Sequence, residues 1–189
     1  MSFASRAAEQ EQKMPDLLTG TALITGAGTG IGRATSVAFV QHGIRKLALL
    51  DVDDAGLDGT ADFISQLHLG KVQILKFNVD VGNDKPLVEA IQKVVDELGR
   101  IDIAVNNAGV GGSIMNSTDL SVEDYRKVID VNMVGLWVSQ REEIKHMLKQ
   151  DPIQTRSGGV NRGVIVNMSS IFGLIGPSAS TPASAYSTR

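Results

Sequence analysis

With 189 residues, 42% of them hydrophobic and 21% charged, the chain has the composition of a globular protein with room for a sizeable core. Its 18 basic and 21 acidic residues are mixed along the sequence and leave a net charge of −3, which argues against nucleic acid or an anionic membrane as partner. The absence of cysteine excludes disulfides, thiolate chemistry and the usual structural zinc sites, and no apolar run approaches the length of a bilayer span.

Residues 1–16 are polar and aperiodic, and are expected to form a flexible arm. Glu9-Gln10-Glu11-Gln12 stands where a secretory signal would need an apolar core, so a cytoplasmic location is expected. Residues 17–189 read as one domain. Short apolar runs at 21–25, 46–51, 72–77, 101–106 and 164–167 are continuous rather than alternating, the pattern of parallel strands buried on both faces.

Helical patterns separate them. One covers 31–40. A second puts Leu57, Ala61, Ile64 and Leu67 on one face, and a third does the same with Leu87, Ile91, Val94, Val95 and Leu98. Pro86 sits near the start of the third, where its missing N–H costs little. A longer stretch over 121–149 carries Tyr125, Val128, Ile129, Asn132, Leu136 and Ile144 at helical spacing, with Ser121 placed to cap it. Met133, Trp137 and Val138 lie outside that stripe, an apolar excess that predicts packing on a second subunit and hence a homo-oligomer. Residues 151–162 and 176–184, rich in Gly, Pro and Ser, read as loops. Strands alternating with helices give an α/β class, a doubly wound parallel sheet with helices on both faces.

The first strand runs straight into Thr25-Gly26-Ala27-Gly28-Thr29-Gly30-Ile31-Gly32, which opens a helix. Glycine lets the backbone turn sharply and approach a pyrophosphate, and the helix start supplies unpaired N–H groups with a partial positive charge. The plainer alternative is a glycine-rich turn with no ligand. Asp51 ends the next strand about twenty residues on, where a carboxylate accepts bonds from an adenosine ribose and repels a 2′-phosphate. NAD is therefore the expected cofactor. Arg33 and Arg45, two cations near that point, keep NADP open. Asp51 has a structural alternative too, as a cap of the following helix.

The spacing Thr-Gly-x-x-x-Gly-x-Gly resembles the turn of the short-chain dehydrogenase/reductase family, which has the Rossmann type of sheet. Asp80-Val81 resembles the family's Asp-Val step beside the adenine. Asn107-Ala108-Gly109, preceded by Asn106, resembles its Asn-Asn-Ala-Gly motif next to the cofactor. Asn132 in Val131-Asn132-Met133-Val134-Gly135 resembles its helical asparagine, the Ser169-Ser170 pair its catalytic serine, and Tyr186 its catalytic tyrosine. The match runs from about residue 19 to the last residue.

The resemblance implies an oxidoreductase that moves a hydride between a nicotinamide cofactor and an alcohol or ketone. It assigns cofactor contacts to Thr25, Gly26, Gly28, Gly30, Ile31, Gly32, Asp51, Asp80, Val81, Asn107, Ala108, Gly109 and Tyr186. Tyr186 would be the acid/base, Ser170 (or Ser169) would bond the substrate oxygen, and Asn132 would hold a water chain and a lysine. That lysine belongs four residues after the tyrosine. The chain stops at Arg189, one residue short of it, so the last strands and helices of the fold are expected to be missing. A catalytically inactive nucleotide-binding remnant, or a structural protein that keeps the fold alone, is the alternative.

Overall fold

The computed structural model describes residues 16–113, 115–116, 118–155 and 157–170. The expected loop at 176–184, most of the N-terminal arm, and Tyr186 lie outside the described residues. Strand β1 (Thr21–Thr25) leads to helix α1 (Gly30–Gln41), then β2 (Lys46–Asp51), α2 (Asp54–Ser65), β3 (Gln73–Asn78), α3 (Asp84–Leu98) and β4 (Ile103–Asn106). After β4 come α4 (Val122–Ile129), a π-helical turn (Asp130–Gly135) and α5 (Leu136–Met147). A small hairpin, β5 (Ile153–Gln154) and β6 (Val160–Asn161), precedes β7 (Val164–Asn167).

Five strands form one parallel sheet in the order β3-β2-β1-β4-β7. The chain builds outward from β1 through β2 to β3, then crosses back to place β4 on the other side of β1. Ile24 is level with Leu49 on one side and Val105 on the other. Because strand side chains alternate, Leu23 points into one apolar layer and Ala22 and Ile24 into another. The Leu23 layer is closed by Leu87, Ile91, Val94 and Leu98 of α3 and by Val131 and Val138. The Ile24 layer is closed by Val40 of α1 and by Leu57 and Ile64 of α2. Helices on both faces make the sheet doubly wound, and explain why its inner strands read as unbroken apolar runs.

Two expectations change. Residues 151–162 are more than a loop, since Ile153 and Gln154 pair antiparallel with Asn161 and Val160. In the 121–149 stretch the buried stripe is Val128, Val131, Gly135, Val138, Ser139, Glu142, Glu143 and Met147, whereas Tyr125 and Ile144 are exposed. For Ile144 the π turn is the cause: its wider spiral shifts the phase of everything after it, so a stripe projected at constant period drifts off the core. Tyr125 precedes that turn and is exposed within α4, where Val128 alone is buried. Gly135 sits in that turn because a Cβ there would come within 2.5 Å of Val81 O. Ser121 caps α4 as expected, its Oγ accepting from the Asp124 N–H at 3.0 Å. Val138 belongs to the core, while Met133 and Trp137 remain exposed.

Candidate active site at the crest of β1 and β4

In an open parallel sheet, ligands bind outside the carboxyl ends of the strands where the strand order reverses, which here is between β1 and β4. A cleft of about 500 Å³ lies there. Gly26, Gly30 and Ile31 line it from the glycine turn, and Asp51 and Val52 from the end of β2. Asp80 and Val81 line it after β3, and Asn107, Ala108, Gly109 and Val110 after β4. Thr25, Gly28 and Gly32 are not among the lining residues; they build the wall behind it.

Each of these three has a mechanical task. The buried Thr25 hydroxyl accepts from the N–H groups of Asn107 and Ala108, both at 3.0 Å, and so fastens the β4 turn to β1. Gly32 lets α1 start against the turn, since a Cβ on it would lie 1.9 Å from Gly26 O. Gly28 N–H donates to Asp51 Oδ2 at 2.8 Å, drawing the turn toward β2. Gly26 and Gly30 have φ of +65° and +51°, the left-handed region that glycine enters without strain. A Cβ on Gly30 would meet nothing within 4 Å, so the space above the turn is open. Helix α1 begins there with no side-chain cap and no acid in its first turn, which leaves its N–H groups facing that space.

The other side of the turn is bolted down. Asn107 Nδ2 donates to the carbonyls of Thr25 and Gly26, both at 3.1 Å. Arg33 reaches the carbonyls of Gly28 and Gly56 with Nη2 and donates from Nε to Thr60 Oγ1 at 3.0 Å. Thr60 Oγ1 in turn donates to Ala27 O at 2.9 Å. Arg45 donates to the carbonyls of Val40 and Ile44, at the opposite end of β2. Both arginines that kept a phosphate open thus bond backbone carbonyls, Arg33 through Nη2 and Arg45 through Nη1. Asp51 serves two ends: beyond Gly28, its Oδ1 accepts from the Asp53 N–H at 3.1 Å at the entry to α2. Asp51 does not cap α2: the N-cap is Asp53, and there Asp51 holds only the N–H of that residue. Asp80 Oδ1 accepts from the Gly82 N–H at 2.8 Å, which sets the shape of the loop after β3.

Asn132 lies in the π turn and clamps Val110 from both sides. Its Oδ1 accepts from the Val110 N–H and its Nδ2 donates to the Val110 carbonyl, each at 2.8 Å. The widened turn is what brings this side chain to the segment after β4. Ser169 and Ser170 follow β7 directly: the Met168 N–H donates to Asn106 O at 2.9 Å, so the two serines leave the sheet beside the β4 turn. Ser169 is exposed and Ser170 half-buried. The glycine turn, Asp51, Asp80-Val81 and the β4 turn thus share one cleft, whereas Asn132, Ser169 and Ser170 are not among its lining residues; Asn132 reaches it only through Val110. Leu50, Val52, Val79, Val110 and Lys127 also line the cleft and were not singled out from the sequence. Val52 follows Asp51 directly, and its exposure at a strand end is the signal that sequence reading passed over.

Polar groups in the core carry strong electrostatics. Burial works against the charge of Glu142, but hydrogen bonds from Lys145 and Arg141 outweigh it and hold the carboxyl below the usual glutamate value. Glu143 has no such cation. Burial pushes its carboxyl up to about 7, offset in part by the Asn106 amide.

Comparison with known proteins agrees with this geometry. Residues 20–188 match the family model described as short chain dehydrogenase. Short-chain dehydrogenase srdC of Neurospora crassa is 34% identical over 164 residues, covering 84% of this chain and 60% of that protein. Cyclohexanol dehydrogenase of an Acinetobacter species is also 34% identical, covering 82% of this chain and 56% of that protein. The crystal structure of carveol dehydrogenase from Mycobacterium avium in complex with NAD superposes with a TM-score of 0.73 at 26% identity, over 88% of this chain and 59% of that one. The chain thus spans somewhat over half the length of these relatives. Since the family model covers nearly all of the sequence and the crest of the sheet carries the matching turns, the chain belongs to the short-chain dehydrogenase family.

Proposed function

We propose that residues 17–189 form one domain that binds a nicotinamide dinucleotide and carries part of the catalytic machinery of an oxidoreductase acting on an alcohol or ketone. The observation that carries this reading is the open space over Gly30 at the uncapped start of α1, with the Asp51 carboxylate tied to the same turn. Helices α2 and α3 also start without a side-chain cap, but Asp54 and Asp84 stand in their first turns, whereas α1 has no acid there to meet its dipole.

Gly26, Gly30 and Ile31 would hold the diphosphate against main-chain N–H groups. Asp51 would accept from the ribose, with Val52, Asp80 and Val81 around the adenine. Bound there, the cofactor supplies or accepts a hydride. Ser170 would donate a hydrogen bond to the substrate oxygen, and Tyr186 would move the proton. A phenol titrates near about 10, so work at neutral pH needs its anion favoured by a nearby positive charge. Asn132, held by Val110, would keep the rim of the site in register with the π turn.

NAD is preferred over NADP because Asp51 stands at the ribose position and Arg33 and Arg45 are already engaged. Titrating NADH and NADPH, with their fluorescence as readout, tests both points. NADH should bind the more tightly, and Asp51→Asn, which keeps an acceptor for Gly28 but loses the charge, should narrow the difference. Equal affinities before and after the change would remove the preference. No binding of either would favour a protein that keeps the fold alone. Cyclohexanol and carveol, as named in two relatives, make secondary alcohols the first substrates to screen. Met133 and Trp137, exposed on neighbouring turns, support the expectation of a homo-oligomer.

A further inference from the structure

Glu143 is 0% exposed and sits in α5 against the carboxyl end of β4. Its Oε2 accepts from Asn106 Nδ2 at 3.0 Å, and the same nitrogen donates to Asn167 Oδ1 at 3.0 Å. Asn167 Nδ2 then donates to Gln140 Oε1. Side chains from β4, β7 and α5 are thus joined in one run, with the carboxyl at its buried end. Two acceptors in that run, Glu143 Oε1 and Asn106 Oδ1, are buried with no donor among the described residues. An ionised carboxylate brings only further acceptors, whereas a proton on it adds a donor. Leaving buried acceptors unmet is costly, so the surroundings favour the acid form.

The position of this run matters more than its charge. Asn106 precedes Asn107, whose amide bolts the glycine turn, and Asn167 stands three residues before Ser170. Asn106 and Asn167 are also register partners, the last pair of the β4–β7 ladder. We propose that Glu143 is a positioning residue that, through Asn106 and Asn167, sets the spacing between the 107–109 turn and the 169–170 segment across the crevice. Its effect on ligand affinity rests on the dinucleotide reading above; its hold on the two asparagines does not.

Among the described residues, no charged group bears on the carboxyl. On α5, Glu142 is paired with Arg141 and Lys145, and His146 lies toward the helix end, near Asp96 of α3. Asp130 is in the π turn, Asp102 pairs with Arg100 just before β4, and β7 has no titratable residue. Burial raises the Glu143 carboxyl and the Asn106 bond lowers it in part.

The test follows the side-chain amide resonances of Asn106 and Asn167 by NMR through a pH titration, alongside NADH affinity, in wild type and in Glu143→Gln. In wild type both amides should shift together with a midpoint near 7, and NADH should bind about fivefold more weakly above it. In Glu143→Gln, neutral at every pH, the amides and the affinity should lose that dependence. Wild-type amides that ignore pH would overturn the proposal, as would an unchanged pH profile of affinity in Glu143→Gln. Should that variant not fold, the wild-type amide titration decides alone. Titrating amides without NADH binding at any pH would uphold the link from Glu143 to the asparagines and overturn the dinucleotide reading instead.

Discussion

Strands β1 and β7 are short apolar runs of one parallel sheet, yet every residue of Thr21–Thr25 is buried while Val164 and Val166 are 47% and 44% exposed. β1 has a strand on each side and helices on both faces. β7 pairs with β4 alone among the described residues, and of its side chains Ile165 packs into the α3–α5 layer. Among the described residues, the same kind of sequence is therefore enclosed in one place and open in the other. What differs is the number of neighbours, since burial is a property of the surroundings and not of the strand.

The largest break in that comparison is expected in β1. Ile24→Ala should cost about 4 kcal/mol in urea unfolding, because the sheet and two helices cannot all close on the space left. A value near that for β7 would mean β1 is not the core. The next effect comes from the β4–β7 junction. Glu143 has its folded value raised from 4.5 to about 7, so the unfolded chain loses its proton first as pH climbs. The contribution of Glu143 to stability should be greatest below about 4.5 and fall by about 3 kcal/mol on reaching about 7, then level off. Glu143→Gln should abolish this slope, which urea unfolding at several pH values would read.

A smaller loss should follow Thr25→Val. Two half-buried N–H groups lose their acceptor, at about 2 kcal/mol, with the β4 turn loosened as judged by hydrogen exchange at Asn107 and Ala108. The smallest change in stability is expected at β7, where Val166→Lys should stay within about 1 kcal/mol. Its effect should appear instead in sedimentation: a charge on an exposed edge opposes strand-to-strand association, so self-association of the chain should decrease. A wild-type chain that sediments as a monomer at all concentrations would remove both this point and the expectation of an oligomer.

The comparison also shows what was readable in advance. All five main strands were legible, with β3 shifted by one residue and β4 starting two later than expected. Apolar runs bounded by turns are a local signal, and the glycine turn and Asp51 were equally local. The phase of the α4–α5 stripe was not legible, because the π turn lies where Gly135 closely approaches Val81 O, residues 54 apart in sequence by their numbers. The β5–β6 hairpin was missed because two-residue strands leave no period to read. Of the residues expected at the cofactor, the sequence could not separate those that line the cleft from Thr25, Gly28 and Gly32 behind it. Motif letters give residue type and spacing, but not which side of the backbone faces the void.

By itself, then, the order of residues determined the alternation of strand and helix, the glycine turn at the end of β1 and the family to which the chain belongs, since each is written in short-range pattern. Only the tertiary structure decided that Arg33 and Arg45 are engaged by carbonyls, that Asn132 grips Val110, and that Glu143 is sealed beneath the β4–β7 junction. Those outcomes depend on which distant backbone comes to lie against a side chain, and on how much water that approach removes.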